Sequence, residues 1–399
     1  MDVTMGSFFR LTVFTLVLLG CFPAWATARD VAFDENSNTQ FVNVIHYDQY
    51  NGLLGRKVTQ IDQDSEGYLW IATHQGLNRF DSQKFIHFSQ DSLDANSLPS
   101  NEISLFVQTT QDIWISLNNV GLALYEKASN QFKLIPQIEL ADADSDQGIF
   151  KSMVFALAAD HADNMWVFQF DGGISVYNRQ NQKFSHLTPE NTPWLQSVRF
   201  FDAKTAANGH IWAVTLEGVV YDIDPKTHQA DIHRLDITDL SAKEARIYGI
   251  SQSSDGEIYL AAYRGVYRFD AQQNKFNRII RREHFSLLMG EPLTVRNITV
   301  DSAGRLWLST VKGLALFNNG LLSRIQFISQ GEVLGDDINI RSVYEDKEHN
   351  IWVASDNMGV MRLNHRWHET TIKRPFSEDG YIHIDNYVHS LSLIHISEP

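Results

Sequence analysis

Residues able to do chemistry come first, and few of them fall into a reactive pattern. Fifteen histidines are spread along the 399 residues. None forms a His-x-x-x-His pair on a helix that would hold a metal ion. Asp142-Ala143-Asp144-Ser145-Asp146 loosely resembles a calcium loop, but it lacks the glycine and distant glutamate that such a loop uses. It reads as a flexible acidic loop. There is no Gly-x-Ser-x-Gly elbow and no phosphate loop. The single cysteine, Cys21, lies near the N-terminus. The rest of the chain therefore has no thiolate metal site, disulfide framework or cysteine nucleophile. No catalytic residue, metal ligand or cofactor is expected. A formal charge of −15 argues against nucleic acid as a partner, since that affinity comes mainly from Lys and Arg neutralising phosphates.

A second set of residues is variable, often polar, and recurs at one place in a pattern. These are His74-Gln75, Asn118-Asn119, Phe170-Asp171, Leu216-Glu217, Tyr263-Arg264, Val311-Lys312 and Asp356-Asn357, each just before a glycine. Hydrogen bonding, ion pairing and ring stacking are the chemistry they offer, which is that of a binding site. Trp194 lies outside the pattern, in or beside a linker that leads to the same region.

The element that positions them is a short hairpin. In Asp64–Asp81, a turn at Ser65–Gly67 leads into Tyr68–Thr73, and a second turn closing on Gly76 leads into Leu77–Phe80. A lone hairpin is marginal in water, but this one is repeated. Aligned on it, the central aromatic is Trp70, Trp114, Trp166, Trp212, Tyr259, Trp307 and Trp352, spaced 44, 52, 46, 47, 48 and 45 residues apart. Gly76, Gly121, Gly173, Gly218, Gly265, Gly313 and Gly359 follow six or seven positions later. Apolar runs precede each hairpin: Val58–Ile61, Ile103–Val107, Met153–Leu157, Val198–Phe201, Ile247–Ile250, Ile298–Val300 and Ile340–Tyr344. An aromatic strand such as Lys84–Phe88 or Lys183–Leu187 follows several of them.

Four strands per unit of about 45 residues predict an all-β, seven-bladed β-propeller of four-stranded antiparallel blades over residues 41–374. The recurring aromatic is expected to pack blade on blade, and the glycines to supply turns with positive φ. Eight outer-strand candidates exist for seven blades, with Phe41–His46 and Trp367–Lys373 at the two ends. One of them either closes the ring or leads into a second propeller. Counting strand directions outward from the axis puts the turn between strands two and three on the same face as the linkers between blades. Ligand contacts are therefore expected at His74, Gln75, Asn118, Asn119, Asp171, Trp194, Glu217, Tyr263, Arg264, Lys312, Asp356 and Asn357.

The stretch Gly67–Asp81, GYLWIATHQGLNRFD, with its Phe-bearing strand and the Leu98–Ile103 linker, resembles the two-component-regulator propeller repeat. The resemblance covers about residues 41–390. It implies the periplasmic sensor half of a membrane receptor, whose output is a histidine kinase, often hybrid, or a diguanylate cyclase. It also implies a small-molecule or glycan ligand, contact with the membrane only through a further C-terminal part, and a homodimeric intact receptor. Copies two and three depart most from the repeat.

The ends carry their own signals. Arg10, the apolar run Leu11–Phe22 and the small-residue sites at Ala24–Ala28 predict a signal peptide over residues 1–28. A lipoprotein site at Leu18–Cys21 and an uncleaved anchor are the alternatives. Residues 375–390 read as the start of a further repeat or a linker. Leu391–Pro399 resembles sequencing-adaptor read-through and reads as a non-native tail, a genuine short tail being the alternative. Two functions follow: a periplasmic sensor that binds without turnover, or a self-contained secreted propeller lyase or hydrolase. For the second, His74 falls on the recognition face and His349 on the opposite one, so no convergent pair is expected.

Overall fold

The computed structural model describes residues 39–235, 241 and 243–369. The expected signal peptide over residues 1–28 and the stretches expected at residues 375–399 lie outside them. The second strand of every repeat shows why the ring forms. Leu69–Thr73, Asp112–Leu117, Met165–Gln169, Ile211–Thr215, Ile258–Ala262, Leu306–Thr310 and Ile351–Ser355 are buried at every position. A strand buried on both faces must be sandwiched between two other sheets. Seven antiparallel blades of four strands, I to VII, stand side by side and satisfy this condition, blade VI carrying further strands at its outer edge. In blade I the order is Val58–Gln63, Leu69–Thr73, Gly76–Phe80 and Phe85–Phe88. The innermost strand of each blade contacts that of the next, from I through VII and back to I. The protein is a seven-bladed β-propeller.

Ring closure comes from the N-terminal end. The predicted outer strand Phe41–His46 divides in two. Ile45–Tyr47 pairs antiparallel with Val360–Leu363 and becomes the outermost strand of blade VII. Thr39–Asn43 runs parallel to Leu321–Ser329 and adds a fifth strand to blade VI. The other candidate, Trp367–Lys373, begins with a 3-10 turn at Trp367–Glu369, and its remainder lies outside the described residues. Trp367 packs edge-on against Trp307, ring centroids 5.3 Å apart, so it covers blade VI rather than extending a sheet. The fourth innermost strand also differs from expectation. It is Phe200–Thr205, starting two residues after the start of the Val198–Phe201 run, because Arg199 forms an isolated bridge with Phe170 before the strand begins.

The seven repeated aromatics are buried, from 0% exposed at Trp166 and Trp307 to 9% at Tyr259. Four are also polar anchors. The indoles of Trp70, Trp166, Trp307 and Trp352 donate to Asp64, Asp160, Asp301 and Asp346, at 2.8, 3.3, 2.8 and 2.7 Å. Each aspartate stands six residues earlier and also accepts two backbone N–H groups of the intervening turn, as Asp64 does from Glu66 and Tyr68. The strand direction and the tryptophan rotamer are thus set by one carboxylate. The glycine at the next turn is equally constrained. At Gly76 φ is 130°, and a side chain there would meet the carbonyl of Phe88.

Candidate functional site

The placement of the strand 2–3 turns follows from one repeated hydrogen bond. The first residue of the strand 2–3 turn donates its N–H to the residue that leads into the innermost strand. His74 donates to Lys57 (3.1 Å), Asn118 to Glu102 (2.9 Å), Phe170 to Met153 (2.9 Å), Leu216 to Arg199 (3.0 Å), Tyr263 to Arg246 (2.9 Å) and Asp356 to Asn339 (2.9 Å). Turns and linkers therefore share a face, as the strand count requires. The axis holds a cavity of about 1110 Å³, a little above the roughly 300–1,000 Å³ usual for small-molecule sites, walled by the innermost strands of all seven blades.

A β-bulge shapes its mouth. In blades I to V and VII the register shifts at the start of the innermost strand, leaving one extra residue: Thr59, Ser104, Phe155, Phe201, Tyr248 and Arg341. In blade VI Arg296 stands just before Asn297–Val300 and donates its N–H to Ser309 at 2.9 Å. All seven line the cavity. A bulge re-aims a side chain out of the ladder, and here it places one side chain per blade around the axis. The strand-turn expectation missed this ring. Its signal was present in four of the seven runs as a variable residue after the first apolar position, as in Val58-Thr59-Gln60-Ile61 and Ile340-Arg341-Ser342-Val343.

Deeper in, side chains lace the wall. Gln60 exchanges two hydrogen bonds with the Phe106 backbone (2.8 and 3.0 Å). Ser116 bonds Val154 (3.0 Å), Thr205 bonds Ala159 (2.6 Å), and Asp202 accepts from Ile250 (3.0 Å). Ser251 accepts from Val300 (3.2 Å), Thr299 bonds Val343 (2.8 Å), and Ser342 bonds Thr59 (3.4 Å). Every blade junction is crossed. Burial raises the Asp62 and Asp202 carboxyls above the usual range, opposed by the hydrogen bond from Gln108 at Asp62 and by the Lys204 charge at Asp202. Both are wall components with partners in place.

The structure brings three of the twelve expected residues, His74, Asn118 and Asn119, into the cavity lining. Burial holds the His74 imidazole below the usual histidine range; Lys57 and Arg341 push the same way, and Glu102 and Asp356 oppose them. Asn118 accepts from the Ser104 hydroxyl. The other nine surround the mouth or lie farther out. Gln75 is exposed beside Gln49 (3.4 Å). Arg199 joins Asp171 (3.8 Å) to Glu217 (3.3 Å). Tyr263 lies between Arg282 and Lys243, whose charges sit 4.7 and 5.4 Å from its ring centre. Arg264 pairs with Glu244 (3.3 Å) and Lys312 with Glu291 (2.9 Å). Asn339 bridges Asp356 (2.7 Å) and Asn357 (3.3 Å). Trp194 packs between blades, its indole bonded to the His228 carbonyl (2.9 Å) and its ring against Tyr221. Among the described residues no cluster of three or more His, Cys, Asp or Glu is arranged to hold a metal. Asp146 of the acidic loop pairs with Lys183 (2.6 Å).

Fold and site together define a propeller with a ligand-sized axial cavity on a regular scaffold. Residues 52–75 and 334–357, in blades I and VII, match the family model described as two component regulator propeller. Among solved structures, the chain is similar to an extracellular domain of a putative hybrid two component system from B. thetaiotaomicron. That match has a TM-score of 0.65 and 21% identity, over 81% of this chain and 42% of the other. A second such domain from B. thetaiotaomicron gives 0.62 and 16%, over 81% and 40%. The chain thus spans less than half the length of these two domains. A streptogramin B lyase structure gives 0.60 and 13%, over 82% and 97%. At these identities the likeness is one of fold. No curated protein sequence matches the chain significantly. No helix among the described residues is long and apolar enough to cross a membrane.

Proposed function

We propose that this chain is the ligand-sensing input portion of a transmembrane signal-transduction receptor, exported to the periplasm and binding a small molecule or oligosaccharide without turnover. The intact receptor is anchored in the inner membrane, acts as a homodimer, and carries a histidine kinase or diguanylate cyclase as output. The carrying observation is the axial cavity. Its scaffold repeats the same strand order and buried aromatic in every blade, while the residue at its mouth differs from blade to blade. The likeness to extracellular domains of hybrid two component systems supports the same reading.

A lyase reading draws on the similarity to streptogramin B lyase. It requires an acid and a base converging in the cavity, and the lining carries one histidine, His74, which burial holds below the usual histidine range. Calorimetry of the chain against oligosaccharides and small metabolites tests the proposal. Saturable binding, with the compound recovered unchanged, is the expected result. Chemical conversion of a bound compound would overturn it in favour of the lyase.

A further inference from the structure

The bulge ring is not merely variable; it is sorted. Phe155, Phe201 and Tyr248 occupy it on consecutive blades III, IV and V, whereas Arg296 and Arg341 occupy it on VI and VII. The aromatic side forms a continuous arc. Phe170 and Phe155 have ring centres 5.2 Å apart, Phe155 and Phe201 5.7 Å, and Phe201 and Tyr248 5.5 Å, the last pair edge-on. All four rings are partly exposed, in a protein whose repeated aromatics are otherwise buried. None belongs to a hydrophobic core cluster between blades. They contribute to a surface that packing between blades does not require.

The other side is cationic. Arg296 is exposed in the cavity and has no ion-pair partner among the described residues. Arg341 has one, Asp356 at 3.3 Å, whose second oxygen is taken by Asn339. Four cations line the cavity (Lys151, Lys204, Arg296 and Arg341) against two carboxylates, Asp62 and Asp202. Both carboxylates already accept backbone N–H groups within the wall. The chain as a whole has 48 acidic and 33 basic residues, whereas the lining carries more cations than carboxylates; two of the four, Lys151 and Arg341, are paired with Glu139 and Asp356 at its edge. A planar guanidinium with free N–H groups is suited to a carboxylate.

Resting on the ligand-sensing reading, we infer that the mouth takes a small ring-bearing carboxylate. Its ring lies over the Phe155–Phe201–Tyr248 arc and its carboxylate points to Arg296 and Arg341. Two sources supply that chemistry, an aryl carboxylate and a uronic acid, and the experiment separates them. Isothermal calorimetry on the full chain uses 4-hydroxybenzoate and digalacturonate as probes. Their neutral counterparts are 4-hydroxybenzamide and galactobiose.

At least one acid is expected to bind tenfold or more tighter than its neutral counterpart, with affinity falling as salt rises. Arg296→Gln is expected to remove that tenfold preference while leaving the neutral compound's affinity unchanged. Tyr248→Ser is expected to weaken acid and neutral compound alike. Circular dichroism confirms that both variants fold. Equal binding of acid and neutral compound, an unchanged preference in Arg296→Gln, or no binding by either acid overturns the inference. If a neutral metabolite then binds unaltered, the sensor reading stands and only the ligand class falls. If a bound compound is converted, the sensor reading itself falls.

Discussion

Two positions in each blade sit one strand apart and follow opposite rules. At the centre of the second strand, six of seven repeats carry tryptophan and the seventh carries Tyr259, all buried. At the start of the innermost strand, in a bulge in every blade but VI, the seven repeats carry Thr, Ser, Phe, Phe, Tyr, Arg and Arg, partly open to the axis in nearly every blade. The first position faces another blade at seven equivalent junctions, so each copy has the same shape to fill. The second faces a shared space that no junction defines, so the copies are free to differ. Uniformity marks packing, and divergence within a uniform frame is what the binding proposal rests on.

The largest way to break that frame is to open the ring. Deleting residues 39–47 removes the outer strand of blade VII and the stacking of Tyr47 on Trp352 at 5.7 Å. It also exposes a strand edge. Loss of a cooperative unfolding transition and the appearance of aggregates in size-exclusion chromatography are expected. A retained sharp transition would mean that closure comes from elsewhere.

Next comes the contrast itself. Trp166→Ala empties a fully buried site and is expected to cost about 3–5 kcal/mol. Phe201→Ala at the mouth is expected to cost about 1 kcal/mol or less. Urea unfolding of the two variants measures the difference, and equal losses would erase the distinction drawn above. The aspartate anchor ranks just below. Asp346→Ala strips the Trp352 indole and the Glu348 and Asn350 amides of their acceptor, at an expected cost of about 3 kcal/mol.

Acidification produces a graded effect. Burial holds His186, His228 and His233 below the usual histidine range. The unfolded chain therefore takes up protons first as pH falls below about 6.5, and stability declines until the lowered folded values are passed. Asp62 and Asp202, raised by burial, act in the opposite sense and offset part of the loss on further acidification into the carboxylate range. Thermal midpoints between pH 7.5 and 5 test the sign; a rise from 7 to 6 would contradict it.

The smallest expected change is a gain. Blade IV has Ala206 where the anchoring aspartate stands in blades I, III, VI and VII, and Trp212 is its partner. Ala206→Asp is expected to add about 1 kcal/mol by supplying the missing acceptor. A loss would show that blade IV has repacked around the alanine.

Much of this architecture was legible in the primary structure. Spacing of the tryptophans and glycines sufficed to count the blades, and the chain-direction argument put His74, Asn118 and Asn119 on the cavity side. The anchoring aspartates were equally visible, always six residues before their tryptophans, but only the turn geometry showed that one carboxylate meets both the indole and two amides. Trp194 stood out as an aromatic beyond the repeat, yet its indole is bound to the His228 carbonyl between blades.

What the sequence by itself determined is the part of the protein governed by local, repeated burial: strand, turn, strand, and the aromatic that each junction needs. The tertiary structure alone decided two things. One is closure, because Ile45–Tyr47 meets Val360–Leu363 across some 300 residues and nothing in either stretch names the other. The other is the sorted mouth, because a one-residue bulge changes which side chain faces the axis, and only the ring sets Phe155, Phe201 and Tyr248 on one side with Arg296 and Arg341 on the other.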